Sequence, residues 1–458
     1  MCVLFSGLAL SARQADTAAP SAAPPKVDNA QFAAAADEVL KEVSEITGLK
    51  QLSPLKKTLR SRTEIRAYVI HEMDDEKNPV ERYGETRSAE AFGLIPKGFD
   101  LDHFMVDLLT EQIAGLYDPK AREFYVADWI PLDDQRMVMA HELTHALQDQ
   151  HFQIETWAKA ARPNDDAELA REAVLEGSAM AAMIDYLLKD SGRTVEDLPP
   201  FDPSVFAGDL SGTPMLKEAP PFIKDSLVFP YLAGLSFSAA ILRSSKWAGI
   251  SAVFANPPLS TQQIMHPSLY RSGRAPVSVA LPPLDILLGK DWSKIDENVM
   301  GEFGWKEILK QFLDEQRAAP VAAAWEGDHY ALYEQKQTKK LVLATRLRLD
   351  SEDHTAAFFR EYSTALEKKY PSRTSEAPLE NFLSFNSPDG GVFLRCEGRE
   401  CVSLEGADKK VFDGLVQAIG WPAAPTPASP KPPVASTRVP AGLLISKVRP
   451  QLSDSSHP

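Results

Sequence analysis

The chain has 458 residues, of which 44% are hydrophobic and 25% are charged, and both values are ordinary for a folded soluble protein. This length allows two or three domains, or one large domain with appendages. The formal net charge of -15 argues against nucleic acid or an anionic membrane surface as the main partner, because both attract basic faces.

The N-terminus resembles an export signal. Residues 1–15, MCVLFSGLALSARQA, look like the apolar core of a secretory signal, although the basic segment that usually precedes such a core is missing. The Ala/Pro-rich residues that follow predict a flexible spacer, so residues 1–27 are interpreted as a signal remnant with its spacer. We therefore expect an exported protein, periplasmic or extracellular. No apolar run is long enough to span a bilayer, so no integral membrane span is expected.

Four elements are predicted before the central motif. Helical spacing of apolar residues predicts a helix at residues 31–46, and the β-prone run IRAYVI predicts a strand at residues 65–70. A second helix is predicted at residues 102–112. Residues 113–127, IAGLYDPKAREFYVA, contain two β-prone runs around a turn sequence and predict a hairpin.

The central motif is H-E-x-x-H, formed by His141, Glu142 and His145 within a predicted helix. Positions four apart lie on one helical face, so both histidines can direct a ring nitrogen at one metal ion. Glu142 lies beside them, where it could take a proton from a water that the metal activates. Neutral imidazole is a standard zinc ligand, and catalytic zinc keeps one position open for water. The motif therefore favours a zinc metallopeptidase.

The third metal ligand is expected on a strong helix candidate at residues 165–189. A catalytic zinc usually takes three protein ligands, and Glu168, Glu172 and Glu176 share one face of this helix. Spacing alone does not decide whether Glu172 or Glu176 is the third ligand. Gly177 directly after Glu176 would allow close helix packing, which favours Glu176 as the ligand, with Glu172 as the alternative or as a support for a ligand.

Donors for the oxyanion of a tetrahedral intermediate are expected further along the chain. Residues 227–254 predict one long helix and a shorter one next to the site. Pro-Pro and His-Pro keep residues 257–270 irregular, and this loop could bring His266 or Tyr270 into a cleft. Tyr231 is a third candidate. The alternative is a loop that caps helices through its Ser and Thr residues.

The remaining chain predicts a small α+β module. A helix is expected at residues 301–316. The elements expected beyond it lie at residues 341–349 (strand), 353–369 (helix), 382–385 and 391–404 (strands), and 409–419 (helix). We therefore divide the folded part into a metallopeptidase domain at residues 28–320 and an α+β module at residues 321–420. The Pro/Ala/Ser-rich residues 421–458 predict a disordered tail.

Two cysteines lie in the predicted hairpin GGVFLRCEGRECVSLEG. A turn centred on Gly398 and Arg399 would place Cys396 opposite Cys401. They could then form a disulfide, which needs an oxidising compartment, or remain a reduced pair.

Several of these motifs together resemble a group of largely uncharacterised bacterial gluzincin-like metallopeptidase domain proteins. The segments that carry the resemblance are HELTHALQDQHF, the EGSA helix, AGLYDPKAREFYV, PPLSTQQIMHP and WEGDHYALY, which lie between Thr110 and Tyr333. Glu176-Gly-Ser-Ala resembles the E-G-x-A signature of the aminopeptidase branch of gluzincins. Glu172 with Glu176 instead resembles the E-x-x-x-D arrangement of the thermolysin branch, with Glu in place of the second acid.

The resemblance implies a zincin-like, mainly helical catalytic domain with a small edge hairpin that pairs with an extended peptide. It also implies zinc held by His141, His145 and a downstream Glu, with Glu142 as general base. We therefore expect zinc-dependent hydrolysis of peptides or proteins. The alternatives are a non-catalytic zinc-containing envelope scaffold or binding protein, and a zinc hydrolase of non-peptide substrates. The sequence leaves the cleavage preference and the oligomeric state open.

Overall fold

The computed structural model describes residues 29–199, 214–375 and 379–422. The predicted signal remnant and spacer, and all but the first two residues of the predicted tail, lie outside these ranges. The described residues form a mixed α+β fold, as predicted, within one compact unit. The division into two domains near residue 320 therefore stays a prediction.

Most of the described residues before residue 290 are helical. The helices along the chain are α1 (Asn29–Thr47), α2 (Arg62–Glu76), α3 (Pro79–Phe92), α4 (Leu101–Gln112), α5 (Leu132–Phe152), α6 (Ile154–Lys159), α7 (Asp165–Leu188), α8 (Pro214–Glu218), α9 (Pro221–Ala255), α10 (Thr261–Met265), α11 (Pro267–Arg271), α12 (Asp285–Leu288), α13 (Gly301–Phe312), α14 (Glu315–Ala322), α15 (Glu352–Lys369) and α16 (Lys409–Ala418). The predicted helices at residues 31–46, 102–112 and 165–189 are confirmed as α1, α4 and α7.

Two sheets complete the described fold. The strands are β1 (Lys56–Arg60), β2 (Gly115–Asp118), β3 (Glu123–Ala127), β4 (Trp292–Asn298), β5 (Trp325–Gln335), β6 (Leu341–Leu349), β7 (Thr374–Ser375), β8 (Phe382–Ser387), β9 (Gly390–Glu397) and β10 (Glu400–Ala407). The first three form a small sheet in the order β1-β3-β2, and the others form a sheet in the order β4-β5-β6-β10-β9-β8-β7.

The predicted strand at residues 65–70 is wrong, because this segment lies inside α2. A capping box starts the helix: the Ser61 side chain accepts from the Glu64 backbone N–H, and the Glu64 carboxylate accepts from the Ser61 N–H. Ile65 and Val69 are buried four residues apart, as one helical face requires. The β-branched residues that favoured a strand therefore form a helical stripe.

The predicted hairpin before the central motif is confirmed. β2 and β3 pair antiparallel, with Tyr117 opposite Phe124. β1 adds to β3 in the parallel direction, and β2 is left as an edge strand of the small sheet.

The predicted irregular segment at residues 257–270 contains two short helices, α10 and α11, which meet at His266. Ser260 caps α10 by accepting from the Gln263 N–H. Pro267 stands in the first turn of α11, where its missing N–H costs nothing. The interpretation as a helix-capping segment therefore describes this region better than an irregular loop.

The long predicted helix is α9, which has a break at Lys246, where φ is 55°. By length and composition α9 could cross a membrane, but 72% of its most apolar window is buried inside the protein. This burial is typical of the core helix of a globular protein.

α9 crosses α7 at a contact between two glycines. A Cβ added to Gly177 of α7 would lie 1.9 Å from the carbonyl carbon of Gly234 on α9. A Cβ added to Gly234 would lie 2.0 Å from the Ala173 carbonyl oxygen. The backbones of the two helices therefore touch, and only glycine fits on either side.

The large sheet carries a covalent crosslink. Cys396 of β9 lies directly opposite Cys401 of β10, and the two sulfurs are bonded. Of the two alternatives for these cysteines, the structure therefore has the disulfide. β4, which the sequence did not predict as a strand, pairs with β5 at the edge of the sheet.

A buried carboxyl group joins the start of α7 to α10. Asp166 Oδ1 accepts from the Thr261 N–H (3.1 Å) and from the Thr261 hydroxyl (2.5 Å), while Oδ2 has no hydrogen-bond partner among the described residues. Burial raises the pKa of Asp166 to about 7, although the bonds from Thr261 lower it, and the charges of Asp328 and Glu302 raise it further.

Gly177→Ala should lower the free energy of unfolding by about 2–3 kcal/mol, because the new methyl group has to push α9 away from α7. The measurement is chemical denaturation. Gly414→Ala is the matched control, because a Cβ there meets the side chain of Leu287, which is 38% exposed and can move. Equal stabilities of the two variants would contradict the tight crossing.

Asp166→Asn should reduce the amount by which the free energy of unfolding decreases as the pH rises. In the wild type the pKa of Asp166 is raised in the folded state, so folded Asp166 keeps a proton that the unfolded chain has released between about pH 4 and pH 7. Stability is therefore lost as the pH rises through this window, by on the order of 4 kcal/mol from this group. Unfolding in urea at pH 5 and pH 8 measures the slope. An unchanged slope in the variant would show that Asp166 titrates normally.

Candidate metal centre

Two helices bring three metal-ligating side chains together. His141 and His145 lie one turn apart on α5, and Glu176 lies in the middle of α7. Glu176 Oε2 is 3.0 Å from His141 Nε2 and 3.5 Å from His145 Nε2, and the two Nε2 atoms are 3.1 Å apart. All three side chains are buried.

The separation of these three atoms fits a single ion. Tetrahedral ligands at the usual Zn–N and Zn–O bond lengths lie about 3.3–3.5 Å from one another. The observed separations of 3.0–3.5 Å are close to this value. Two imidazoles and one carboxylate are also a donor set that suits zinc and neighbouring transition metals. His141, His145 and Glu176 can therefore hold a metal ion.

The protonation states also suit a cation. Burial lowers the pKa of His141, although the hydrogen bond to Glu176 opposes this shift. Burial alone would raise the pKa of Glu176, but the charge of His145 and the hydrogen bonds from both histidines lower it to about 2. Near neutral pH Glu176 is thus a carboxylate and His141 a neutral imidazole, which are the forms in which these two residues bind a metal.

Glu142 is fixed by the backbone of the edge strand. Its Oε2 accepts from the Tyr117 N–H of β2 at 2.9 Å, and the side chain is only 1% exposed. Burial raises the pKa of Glu142 well above its ordinary value, the charge of Glu176 raises it further, and the Tyr117 bond lowers it. The carboxyl group next to the metal ligands is therefore aligned by the small sheet and is unusually basic.

Tyr231 reaches the centre from α9. Its ring stacks on His141, with the ring centroids 6.0 Å apart, and it is buried. Tyr231 lies one turn before Gly234, so the close crossing at Gly177 holds it beside the ligands.

Two further polar side chains, which the sequence analysis missed, are linked to His145, Gln148 directly and Ser178 through Gln148. His145 Nδ1 lies 3.1 Å from Gln148 Oε1, and Gln148 Nε2 donates to Ser178 Oγ at 2.8 Å. Gln148 is three residues after His145 on α5, a spacing that predicts contact on a helix. The spacing was therefore a usable signal for Gln148, but the link to Ser178 depends on how the two helices pack.

The other glutamates of α7 do not join this group. Glu172 is half-buried one turn earlier and lies outside the three converging residues. Glu168 accepts from Arg162, with a shortest distance of 3.0 Å.

The two donors predicted at residues 257–270 have other partners. His266 Nε2 lies 2.8 Å from Glu302 Oε1, and the Tyr270 hydroxyl donates to the Asn256 carbonyl at 2.7 Å. The adjoining α10 meets α7 at Asp166, ten residues before Glu176, which is about 15 Å along a helix axis. Their catalytic role stays a prediction, and Tyr231 is the candidate beside the ligands.

Comparison with known proteins adds little about this centre. Residues 290–415 match a family described as a domain of unknown function, DUF8575; these residues include most of the large sheet and none of the converging ligands. No curated protein matches the chain. A solved structure from Chloroflexus aurantiacus, described as a candidate hydrolase with a novel fold, matches 55% of this chain and 93% of its own. It is 18% identical with a TM-score of 0.33, which is too low to establish a shared fold.

Glu176→Gln should lose the bound metal, whereas Glu172→Gln should keep it, because only Glu176 converges with the histidines. The two variants make the same chemical change one turn apart on α7. Metal content per chain, measured by mass spectrometry after dialysis, decides the question. Loss of metal from Glu172→Gln alone would assign the third ligand to Glu172.

Proposed function

We propose that this protein is a zinc-dependent hydrolase of peptide bonds of the gluzincin-like type. The observation that carries the proposal is the buried group of His141, His145 and Glu176 with the carboxyl group of Glu142 beside it. A purely structural zinc site has no use for such a neighbouring base. The H-E-x-x-H order and the resemblance to gluzincin-like proteins support the same reaction.

His141, His145 and Glu176 would hold the ion. When bound, zinc supplies a Lewis acid that polarises a carbonyl group and makes a nucleophile of water at neutral pH. Glu142 takes the proton of the attacking water and later delivers it to the leaving amine. Its raised pKa makes its carboxylate a stronger base for the first of these steps.

Glu142 has two oxygens with different tasks. Oε2 accepts the Tyr117 N–H and sets the orientation of the carboxyl group. Oε1 is then the oxygen that receives the proton. The edge strand β2 thereby aligns the base, and an extended peptide added beside β2 would lie next to it.

Tyr231 is our first choice for the group that stabilises the oxyanion, because it lies against His141. His266 and Tyr270 remain candidates that would have to exchange their present partners for the substrate. The substrate is a peptide or protein.

We also propose that the protein acts outside the cytoplasm. The bond between Cys396 and Cys401 supports this location, because such bonds persist in oxidising compartments. The apolar residues 1–15 are consistent with export.

Glu142→Gln should retain zinc and reduce the rate of hydrolysis by about 10²–10⁴-fold, because an amide cannot take a proton from water. The amide oxygen still accepts from the Tyr117 N–H, so the side chain keeps its position. The assay is cleavage of an unfolded protein and of a mixed peptide library, followed by mass spectrometry. Glu172→Gln is the matched control, with activity near that of the wild type.

Full cleavage by Glu142→Gln would remove Glu142 as the base. A zinc-loaded wild type that cleaves no peptide would favour a zinc-containing scaffold or binding protein, or a hydrolase of other substrates.

A further inference from the structure

A chain of buried hydrogen bonds runs from His145 to the backbone of α7. His145 Nδ1 faces Gln148 Oε1 at 3.1 Å, and Gln148 Nε2 faces Ser178 Oγ at 2.8 Å. Ser178 Oγ in turn donates to the Val174 carbonyl at 2.6 Å, with the Leu175 carbonyl 3.2 Å away. The three side chains are at most 1% exposed, so water does not compete with these bonds.

The direction of every bond in this chain is fixed from its α7 end. Carbonyl oxygens only accept, so the single hydroxyl proton of Ser178 points to Val174 or Leu175. Ser178 Oγ then presents lone pairs to Gln148, which must turn its NH₂ group towards Ser178. The amide oxygen of Gln148 consequently faces His145, and it can only accept a proton from Nδ1.

The result is that Nδ1 of His145 carries a proton, which leaves one tautomer for the neutral ring. With the proton on Nδ1, Nε2 of the neutral ring carries a free lone pair, and it is Nε2 that faces Glu176 and His141. A reversed Gln148 amide would place the proton on Nε2, where it blocks a metal. It would also set the amide oxygen against the lone pairs of Ser178.

We propose that Gln148 and Ser178 are positioning residues that hold His145 in its metal-binding tautomer. The inference rests on the proposed metal centre for its purpose, but the proton on Nδ1 is a property of the metal-free protein. Ser178 lies two residues after Glu176, so the same chain of bonds ties the helix of the two histidines to the helix of the third ligand.

Gln148→Leu should weaken zinc binding by about 10–100-fold, as the loss of such a partner of a metal-bound histidine usually does. Gln148→Glu should retain most of the affinity, because a carboxylate also accepts from Nδ1. Ser178→Ala should fall between them, because His145 keeps Gln148 as its acceptor, but Gln148 loses the atom that sets the direction of its amide. The measurement is competition for zinc with a chelator, on full-length protein whose thermal unfolding shows that it is folded.

Gln150→Leu is the matched control on the same helix. Gln150 Oε1 accepts from the Leu52 N–H at 2.6 Å, away from the metal centre, so its loss should leave zinc affinity unchanged. Gln148→Leu with the zinc affinity of the wild type would overturn the proposal.

The second measurement is the ¹⁵N spectrum of histidine-labelled, metal-free protein, with His145 assigned by comparison with His145→Gln. We expect a protonated Nδ1 in the wild type, and partial loss of that proton in Ser178→Ala. An unprotonated Nδ1 in wild-type His145 would overturn the proposal, even if the protein cleaved peptides. Absence of peptidase activity with the expected spectrum would count against the proposed function alone.

Discussion

The described fold depends on the cost of burying the charge of Glu176. A carboxylate that is 2% exposed is stable only if positive or hydrogen-bonding groups surround it, and here His141 and His145 supply them. This need brings α5 and α7 together at one point along their length. The two helices meet at this point through polar atoms, and the apolar residues around it form the surrounding core.

The glycine contact between α7 and α9 complements this polar contact. Because the backbones of α7 and α9 touch, a side chain of α9 beside the contact can reach the metal centre, and no cavity is left between the two helices. Tyr231 enters the centre in this way and stacks on His141, whose ring also meets that of His145 edge to face. The position of Tyr231 in the metal centre thus depends on Gly177 and Gly234, which have no side chain.

The sequence predicted what local spacing determines. His141 and His145 follow from the helical repeat, Glu176 was favoured over Glu172 by the glycine after it, and the hairpin at residues 113–127 follows from its turn. The errors have physical causes. The IRAYVI run predicts a strand because β-branched residues favour strands, but the capping box at Ser61 starts a helix there. The Gln148–Ser178 link and the Tyr231 stacking depend on packing between residues 30 or more positions apart, which no local pattern predicts.

The alignment of Glu142 by the Tyr117 N–H has a consequence for how this protein can change during evolution. The donor is a main-chain group, which nineteen of the twenty amino acids possess, so the base stays aligned when the side chain at position 117 changes. Only proline lacks this donor. The alignment of the base itself therefore places no demand on the side chain at this position, and a comparison of side chains there among related chains would miss its importance.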